Sequence, residues 1–394
     1  MTQSSLNIAI RVDASQAIGT GHVMRCLTLA HALQEKSAVC VFFCQPLAGH
    51  LIEYIQAAGF TVVEMSAPVS KPVFEPVSES FSESSVFDSF FNSSGQDAHN
   101  FIEAAKHHCQ KNQVDSFDWL IVDHYKLDAS WEKAVQVGLK STPIHILAID
   151  DLANRPHACT ILLDQNIHQP PDVYNDLLTS GCKQCIGPQY ALIRDEFIKA
   201  RPQYPPQDPG IVRTKEGLES NQPFKILVSF GGSDPSNCTQ KVLEALTIAL
   251  GTSPLKCHVT VLMGQRNPHQ EKLLAMFSNQ YTLLTHSSQM ADLLQQSDWV
   301  IGAGGTSTWE RCCMGAAAAI ISIADNQIDL ATQVHRAGAA VYWGKSETLS
   351  KEAVADQITA LLNDVTTLNA IAKKAHSTVD GQGKYRVIEA MLGI

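Results

Sequence analysis

The sequence predicts an α/β protein with two doubly wound, Rossmann-like domains that face a cleft. Short apolar runs alternate with helix-like segments along the chain, a pattern typical of parallel sheets covered by helices. A chain of 394 residues is long for a single core, and the runs fall into two sets. A polar, proline-rich stretch separates these sets, which indicates two domains.

The apolar runs give five candidate strands in each half of the chain. In the first half they are Asn7–Val12, Ala38–Cys44, Trp119–Val122, Ile144–Ile149 and Thr160–Leu163. In the second half they are Lys225–Phe230, His258–Met263, Tyr281–Thr285, Trp299–Gly302 and Ala318–Ser322. Ligands of doubly wound sheets bind outside the carboxyl ends of the strands, so the segments that follow these runs are the candidate site regions.

Two irregular stretches set the predicted domain organisation. Ala200–Pro223 has the composition of a linker, so we expect an N-terminal domain over 1–199 and a C-terminal domain over 224–394. Ser66–Gln96 is rich in serine with interspersed phenylalanines, and we expect a mobile surface insertion. A docking segment or a lid is the alternative for that stretch.

Composition and charge argue against several classes of protein. The formal net charge is −10 and there are no basic runs, which argues against nucleic acids or an anionic membrane surface as partners. No run reaches the roughly 20 apolar residues of a membrane span. The first residues also lack the pattern of a secretory signal. We therefore expect a cytoplasmic enzyme.

Eleven cysteines raise the question of a metal or redox site. Cys182 and Cys185 form a CxxC pair, but no second pair stands at metal-ligand spacing. In the cytoplasmic context expected here, buried or incidental thiols are favoured over a zinc site. A redox role for the two cysteines stays open.

A glycine-rich turn leads into a helix near the N-terminus. Asp13 follows the first strand, Gly19 and Gly21 form the turn, and His22 stands where the helix begins. Helix N-termini expose free N–H groups and carry positive potential, so this turn is a candidate anion site. The glycines do not form the GxGxxG pattern of nicotinamide-binding domains.

His22 and Arg25 each have a functional and a structural interpretation. The helix macrodipole disfavours a protonated imidazole at this end, which leaves His22 available to accept a proton. Arg25 lies about one turn along on roughly the same face, where it could contact a phosphate. Alternatively, His22 only closes the loop and Arg25 forms a surface ion pair. The residues alone leave both interpretations open.

A second glycine turn follows the first strand of the C-terminal half. In VSFGGSDPSN, Gly231 and Gly232 form the turn, and Ser233, Asp234 and Pro235 are expected as the cap and first turn of a helix. Such a turn lets backbone amides approach a diphosphate. An ordinary strand-to-helix connection is the alternative.

The most specific pattern lies in Asp298–Gln327. Gly304, Gly305 and Thr306 follow a strand and open a helix, and Glu310 stands about one turn into it. A carboxylate there can accept both hydroxyls of a ribose whose phosphates lie on the loop. The alternative is a solvated helix charge.

The strand Ala318–Ser322 leads to a polar group at the same sheet edge. Its carboxyl end delivers Asp325, Asn326 and Gln327 to the place where ligands of doubly wound sheets bind. We therefore count Asn326 and Gln327 among the candidate substrate contacts.

These motifs together resemble the two-domain nucleotide-sugar enzymes of the GT-B architecture. They are most similar to the UDP-sugar hydrolases of pseudaminic acid biosynthesis, which act on UDP-2,4-diacetamido-2,4,6-trideoxy-β-L-altropyranose. The serine-rich insertion is longer than this family leads us to expect. The strings that carry the resemblance are RVDASQAIGTGHVMRCLTLA, LIVDHYKLDASWE, IDDLANRPHACTILLDQN, GPQYALIRDEF, VSFGGSDPSN and IGAGGTSTWERCCMG…ISIADNQ.

The resemblance implies roles for individual residues. His22 would be the general base that takes a proton from water, and Tyr125, Arg194, Glu310 and Asn326 would contact the substrate. The implied reaction is hydrolysis of the bond between the anomeric carbon and UDP, with Arg194 neutralising the departing diphosphate. The chain contains no DxD sequence, so neither a divalent metal nor another cofactor is demanded.

Two alternatives remain at this point. A glycosyltransferase with the same fold would use the same UDP site, because fold and donor site do not determine the acceptor. The absence of a basic cluster from the N-terminal half argues modestly against a transferase that works on lipid carriers. A non-catalytic nucleotide-sugar-binding protein would not need His22. The sequence leaves the oligomeric state open.

Overall fold

The computed structural model describes most of the chain as two compact units. The described residues are 6–15, 18–66, 84–139, 144–203, 223–287 and 289–393, with only the helical backbone described for 84–93. The first unit comprises Met1–Gln165, Pro170–Ile186 and Tyr385–Ile394. The second unit comprises Asn166–Gln169 and Gly187–Lys384.

The first unit contains a seven-stranded parallel sheet in the order β3-β2-β1-β4-β5-β6-β7. Its strands are β1 Asn7–Val12, β2 Val39–Cys44, β3 Thr61–Glu64, β4 Trp119–Asp123, β5 His145–Ile149, β6 Ile161–Asp164 and β7 Lys183–Ile186. The helices of this part of the chain are α1 Gly21–Gln34, α2 Ile52–Ala57, α3 Ser84–Asn112 and α4 Ala129–Gly138.

The second unit contains a six-stranded parallel sheet in the order β10-β9-β8-β11-β12-β13. Its strands are β8 Phe224–Ser229, β9 Cys257–Leu262, β10 Thr282–Leu284, β11 Trp299–Ala303, β12 Ala318–Ser322 and β13 Val341–Lys345. Its helices before the C-terminus are α5 Asp195–Ala200, α6 Cys238–Thr252, α7 Gln270–Phe277, α8 Met290–Gln295, α9 Ser307–Met314, α10 Ile328–Arg336, α11 Lys351–Leu362 and α12 Val365–Thr378. The last helix, α13 Gly383–Leu392, begins at the end of this unit.

Burial on both faces explains why the strands are continuous apolar runs. In β8, Ile226 and Val228 pack into one hydrophobic core, whereas Leu227 between them packs into another. Trp299 and Val300 of β11 alternate in the same way. Helices cover both faces of such a sheet, so neither face selects polar residues.

Both sheets reverse their strand order at their first strand. β1 lies between β2 and β4, and β8 lies between β9 and β11. Connections that leave in opposite directions open a crevice at the carboxyl ends of the central strands, where ligands of this fold class bind. The two crevices are therefore the candidate site regions.

All ten predicted strands are present, and their ends differ from the predicted ones by no more than one residue. Sequence analysis missed β3, β7 and β13. Each is an edge strand of its sheet and is partly exposed, so its residues are mixed rather than continuously apolar. The pattern that identified the central strands is absent from them.

Two predicted boundaries need correction. The units change between Ile186 and Gly187, before the predicted linker, because Ala191, Ile193 and Phe197 pack into a core of the second unit. Most of that linker, 204–222, lies outside the described residues. The predicted irregular insertion ends earlier than expected, since helix α3 begins at Ser84, and 67–83 lies outside the described residues. None of the helices described is long and apolar enough to cross a membrane.

Candidate functional site

The first crevice lies between β1 and β4 and is built on the turn that precedes α1. Gly19 adopts a φ of +83° and donates its backbone N–H to the Ser15 carbonyl at 2.9 Å. That left-handed conformation suits glycine, and it closes the turn tightly. Helix α1 then begins at Gly21, so His22 stands in its first turn, where backbone N–H groups lack intrahelical partners.

His22 is paired with a carboxylate that sequence analysis did not single out. Its Nδ1 lies 2.5 Å from Oδ1 of Asp123, the last residue of β4, and the imidazole is buried. Tyr125 contacts the edge of the same ring, with 4.5 Å between ring centroids. A carboxylate at Nδ1 fixes the tautomer and leaves Nε2 as the nitrogen that can accept a proton.

Arg25 holds Asp123 from the other side. Its Nε and Nη2 lie 2.6 Å from Oδ2 and Oδ1 of Asp123, and its Nη1 lies 2.9 Å from Asp151. Burial alone would raise the pKa of Asp123, but the charge of Arg25 and the hydrogen bonds from Arg25 and His22 outweigh burial and hold it well below its ordinary value. Asp123 is therefore ionised at neutral pH. Arg25 forms the ion pair of the structural interpretation, although it is buried rather than on the surface.

A second charged network lies beside this one. The fully buried Arg11 of β1 binds Asp13 at 2.7 Å and Asp97 at 2.7 Å. Asp13 also accepts the backbone N–H of Gln45 at 2.7 Å. Burial would raise the pKa of Asp13, yet Arg11 lowers it below its ordinary value. The Trp131 indole donates to Asp97 at 3.0 Å, which anchors the network to α4.

These two networks line one cavity of about 440 Å³ within the first unit. His22, Tyr125 and Asp13 contribute to its wall, so three of the predicted residues do meet. His124 lies there too, with Nε2 3.5 Å from Asp13. Burial, assisted by the charge of Arg11, lowers the pKa of His124 to about 4, so this imidazole is neutral at pH 7.

Four residues of this crevice were not predicted from the sequence, and only two of them carried a recognisable sequence signal. Asp123 and His124 belong to the VDHY string, and a carboxylate at the end of a buried strand is a usable signal. Arg11 and Asp97 had no such signal. Arg11 stands inside an apolar strand, and Asp97 lies in helix α3, beside the stretch assigned to an insertion.

In the second unit, the structure brings Arg194 and Glu310 together. Nε of Arg194 lies 2.8 Å from Glu310 Oε1, and its Nη1 lies 2.6 Å from Glu196. The guanidinium also stacks 4.7 Å from the centre of the Phe197 ring. Both partners of the Arg194–Glu310 pair were predicted to contact substrate, but nothing in the sequence indicated that they contact each other.

The loop after β11 is shaped by close backbone approach. A Cβ at Gly304 would lie 3.2 Å from the backbone oxygen of Gln327, so any larger residue would require the loop to shift by a few tenths of an ångström. The side-chain oxygen of Gln327 accepts the N–H groups of Gly304 at 3.3 Å and Ile323 at 3.1 Å. Gln327 therefore braces the loop. Its direct contact with substrate stays a prediction, as does that of Asn326 in the same turn.

The loop after β8 corrects one expectation. Gly231 has a φ of +85°, but the following helix α6 begins at Cys238, three residues after Pro235. The buried Asp234 carboxylate accepts the N–H groups of Cys238 and Thr239, both at 2.8 Å. Asp234 thus caps the helix from a distance and occupies donors that the predicted anion site would have used. Gly231, Gly232 and Ser233 keep their backbone groups as candidates for that role.

The CxxC cysteines are not each other's nearest thiol partners. Cys182 Sγ lies 3.5 Å from Cys159 Sγ, whereas Cys185 is buried in β7. Within the described ranges, no group of three or more histidine, cysteine, aspartate or glutamate side chains is arranged to hold a metal ion.

Comparisons with known proteins agree with this fold. Residues 226–389 match the model of the glycosyltransferase family 28 C-terminal domain. UDP-2,4-diacetamido-2,4,6-trideoxy-beta-L-altropyranose hydrolase from Campylobacter jejuni is 27% identical over 335 residues, which cover 84% of this chain and 97% of that protein. Over most of its length, the chain resembles this hydrolase. Spore coat polysaccharide biosynthesis protein SpsG from Bacillus subtilis is 29% identical over 51% of this chain and 56% of that protein.

Solved structures confirm the GT-B type of fold. MurG from Acinetobacter baumannii superposes with a TM-score of 0.64 at 14% identity, over 99% of this chain and 100% of that chain. UGT89C1 from Arabidopsis thaliana, complexed with UDP-L-rhamnose, superposes with a TM-score of 0.63 at 14% identity, over the whole of both chains. At such identities the likeness concerns the fold alone.

Proposed function

We propose that the protein is a metal-independent UDP-sugar hydrolase in pseudaminic acid biosynthesis. Its substrate would be the one named for the Campylobacter jejuni relative, UDP-2,4-diacetamido-2,4,6-trideoxy-β-L-altropyranose. The observation that carries the proposal is the 2.5 Å contact between His22 Nδ1 and Asp123, in the first turn of a helix that follows a glycine turn. A buried, carboxylate-oriented imidazole at a ligand crevice is suited to general-base catalysis.

In the proposed reaction, Nε2 of His22 accepts a proton as a water molecule attacks the anomeric carbon. The bond between that carbon and the UDP oxygen breaks, and its electron pair leaves with UDP. Asp123 stabilises the imidazolium that forms, and Arg25 keeps Asp123 ionised and in place. The products are UDP and the free diacetamido sugar. Tyr125, which packs against the His22 ring, would orient the water or a sugar substituent.

The second unit is proposed to hold the UDP part of the substrate. The backbone groups at Gly231, Gly232 and Ser233 and at Gly304, Gly305 and Thr306 would bind the diphosphate, as glycine loops at a sheet edge do. Glu310 would accept the ribose hydroxyls. Arg194, which is paired with Glu310, would orient that carboxylate and add positive charge for the departing diphosphate. Asn326 would contact the sugar.

The decisive experiment measures UDP release from this substrate without an acceptor or a metal. We expect release by the native protein and a loss of about 10³-fold in His22→Asn, because a general base contributes about 10² to 10⁴. His31→Asn is the matched control, since His31 stands on the same helix but is exposed. UDP affinity should stay unchanged in both variants. Undiminished release in His22→Asn would remove this histidine from the mechanism.

A glycosyltransferase is the second candidate, favoured by the family 28 match over 226–389. It would also bind UDP, and it would release UDP only when a hydroxyl-bearing acceptor is added. A protein that only binds the nucleotide sugar would release no UDP under either condition. The same assay therefore separates all three functions.

A further inference from the structure

Arg311 is a buried cation beneath the glycine loop of the second unit. It stands on α9 and is 2% exposed. Its Nη2 donates to the Ala303 carbonyl at 2.6 Å and to Thr308 Oγ1 at 2.9 Å, and its Nη1 donates to Ser307 Oγ at 3.3 Å. These contacts reach both sides of the loop 304–306, so one guanidinium connects the end of β11 to the first turn of α9.

The position of the guanidinium relative to the sheet follows from Gly302. A Cβ on that residue would lie 2.5 Å from the Ser229 carbonyl oxygen and 3.0 Å from Arg311 Nη1. Ser229 ends β8 and Gly302 is next to the last residue of β11, and the two are paired in the sheet. The charge therefore lies at the point where the strand order reverses, close to where both glycine loops begin.

Among the residues that the structure describes, no carboxylate forms an ion pair with this charge, and the nearby charge of Glu310 offsets only part of the cost of burial. The other two buried arginines, Arg11 and Arg25, each bind two aspartates within 3 Å. Arg311 forms no ion pair within the described part of the chain, and its buried Nε has no hydrogen-bond partner there. Burial lowers the pKa of Arg311 to about 10, which reflects the cost of an unbalanced charge, although the side chain stays protonated at pH 7.

We propose that Arg311 is an electrostatic positioning residue for a nucleoside diphosphate bound on the loops above it. The inference rests on the proposed function, which places a diphosphate there. The anion would supply negative charge near a guanidinium that has no ion-pair partner among the described residues, and burial keeps water from screening the attraction. Arg311 does not touch the ligand. It acts through its charge and through its hydrogen bonds to Ala303, Ser307 and Thr308, which keep the loop amides in place.

The test compares ligands that differ only in charge. Binding of uridine, UMP and UDP is measured by calorimetry or by competition for the native protein and for Arg311→Met. We expect affinity for UDP to fall about 10-fold, for UMP about 3-fold and for uridine less than 2-fold. Arg311→Lys, which keeps the charge, should retain most of the affinity for UDP. Arg336→Met is the matched control, because it removes the same charge from an exposed position on α10.

A purely structural role predicts a different pattern. An equal loss for all three ligands in Arg311→Met, or an equal loss in Arg311→Lys, would overturn the electrostatic role, and so would unchanged binding of UDP. If Arg311→Met does not fold, Arg311→Gln removes the charge while keeping hydrogen-bond donors. Failure of the native protein to bind UDP would overturn the proposed diphosphate site itself, an outcome distinct from a failure of Arg311 alone.

Discussion

The two crevices have the same strand topology, but different groups line them. In the first unit, charged side chains fill the edge between β1 and β4, where His22, Asp123 and Arg25 form one network and Arg11 and Asp13 belong to another. In the second unit, the loops after β8 and β11 contain glycine turns, with the buried Arg311 beneath the loop after β11.

This difference matches the division of labour that the proposed function assigns to the two units. Positioned titratable side chains are what proton transfer requires, whereas exposed backbone amides next to positive charge are what a diphosphate requires. Under the proposed function, the same strand order supports either chemistry, and the segment that follows each strand decides which one it has. Each of the following predictions tests one side of this comparison.

The largest effect is expected for Asp123→Asn. An amide cannot stabilise the imidazolium in the same way, so kcat for UDP release should fall roughly 10³-fold or more. Affinity for UDP should change less than about 2-fold, because the proposed UDP site lies in the second unit. Kinetics combined with UDP titration measures both quantities, and Asp115→Asn on an exposed position is the control. Equal losses in kcat and in UDP affinity would contradict the division of labour.

A second prediction concerns the charged interior of the first unit. Buried His157 lies 2.7 Å from Glu132 and 3.8 Å from Asp150. Burial would lower its pKa, but the interactions with Asp150 and Glu132 outweigh burial and raise the pKa to about 9. Because the folded-state value lies above the unfolded one of about 6.5, the stabilisation is fully present below pH 6.5. It is lost as pH rises through about 9.

The measurement is stability against pH for the native protein and for His157→Gln. We expect the native protein to lose about 1–3 kcal/mol between pH 6.5 and 9.5 through this group, and the variant to lack that loss. Hydrogen exchange by peptide should place the change in the first unit and leave the second unit unaffected. His99→Gln, at an exposed position, should behave like the native protein. If His157→Gln kept the same pH dependence as the native protein and as His99→Gln, His157 would be ruled out as its source.

A smaller effect is expected for Glu310→Gln in the second unit. Loss of the carboxylate weakens the proposed ribose contact and removes the negative charge that Arg194 contacts at 2.8 Å. KM for the UDP-sugar should rise about 10-fold, while kcat stays within about 3-fold, because the proposed proton transfer takes place in the first unit. Glu352→Gln on an exposed position of α11 is the control. A variant with normal KM and low kcat would place chemistry in the second unit.

The smallest effect is expected for Gly304→Ala. The added methyl group would lie 3.2 Å from the Gln327 backbone oxygen, so the loop must shift by a few tenths of an ångström. UDP affinity should fall about 2- to 5-fold, which corresponds to less than about 1 kcal/mol. Gly251→Ala, where no atom lies within 4 Å of the new methyl group, should bind UDP normally. Unchanged affinity in Gly304→Ala would show that this loop is not the diphosphate site.

Much of the architecture follows from local sequence. Strands buried on both faces are continuous apolar runs, so the nine predicted strands that have a neighbour on each side were predictable from consecutive residues. The tenth, β10, is a partly exposed edge strand that was predicted because its few residues are mainly apolar. The glycine turns before α1 and α9 were also predictable from local sequence, because a tight connection needs glycine within a few positions. The edge strands β3, β7 and β13 were not, since partial exposure removes the apolar pattern.

The pairings within each site were decided by tertiary structure alone. His22 and Asp123 are 101 residues apart, and they meet because β4 adds to the sheet beside β1. Arg194 and Glu310 are 116 residues apart. The fold, not the local sequence, buries the charge of Arg311. Local sequence encodes the conformation of short segments, whereas burial and ion pairing depend on which segments become neighbours. The sequence therefore determined the strands and the loops, and the order of strands in each sheet determined which charges meet.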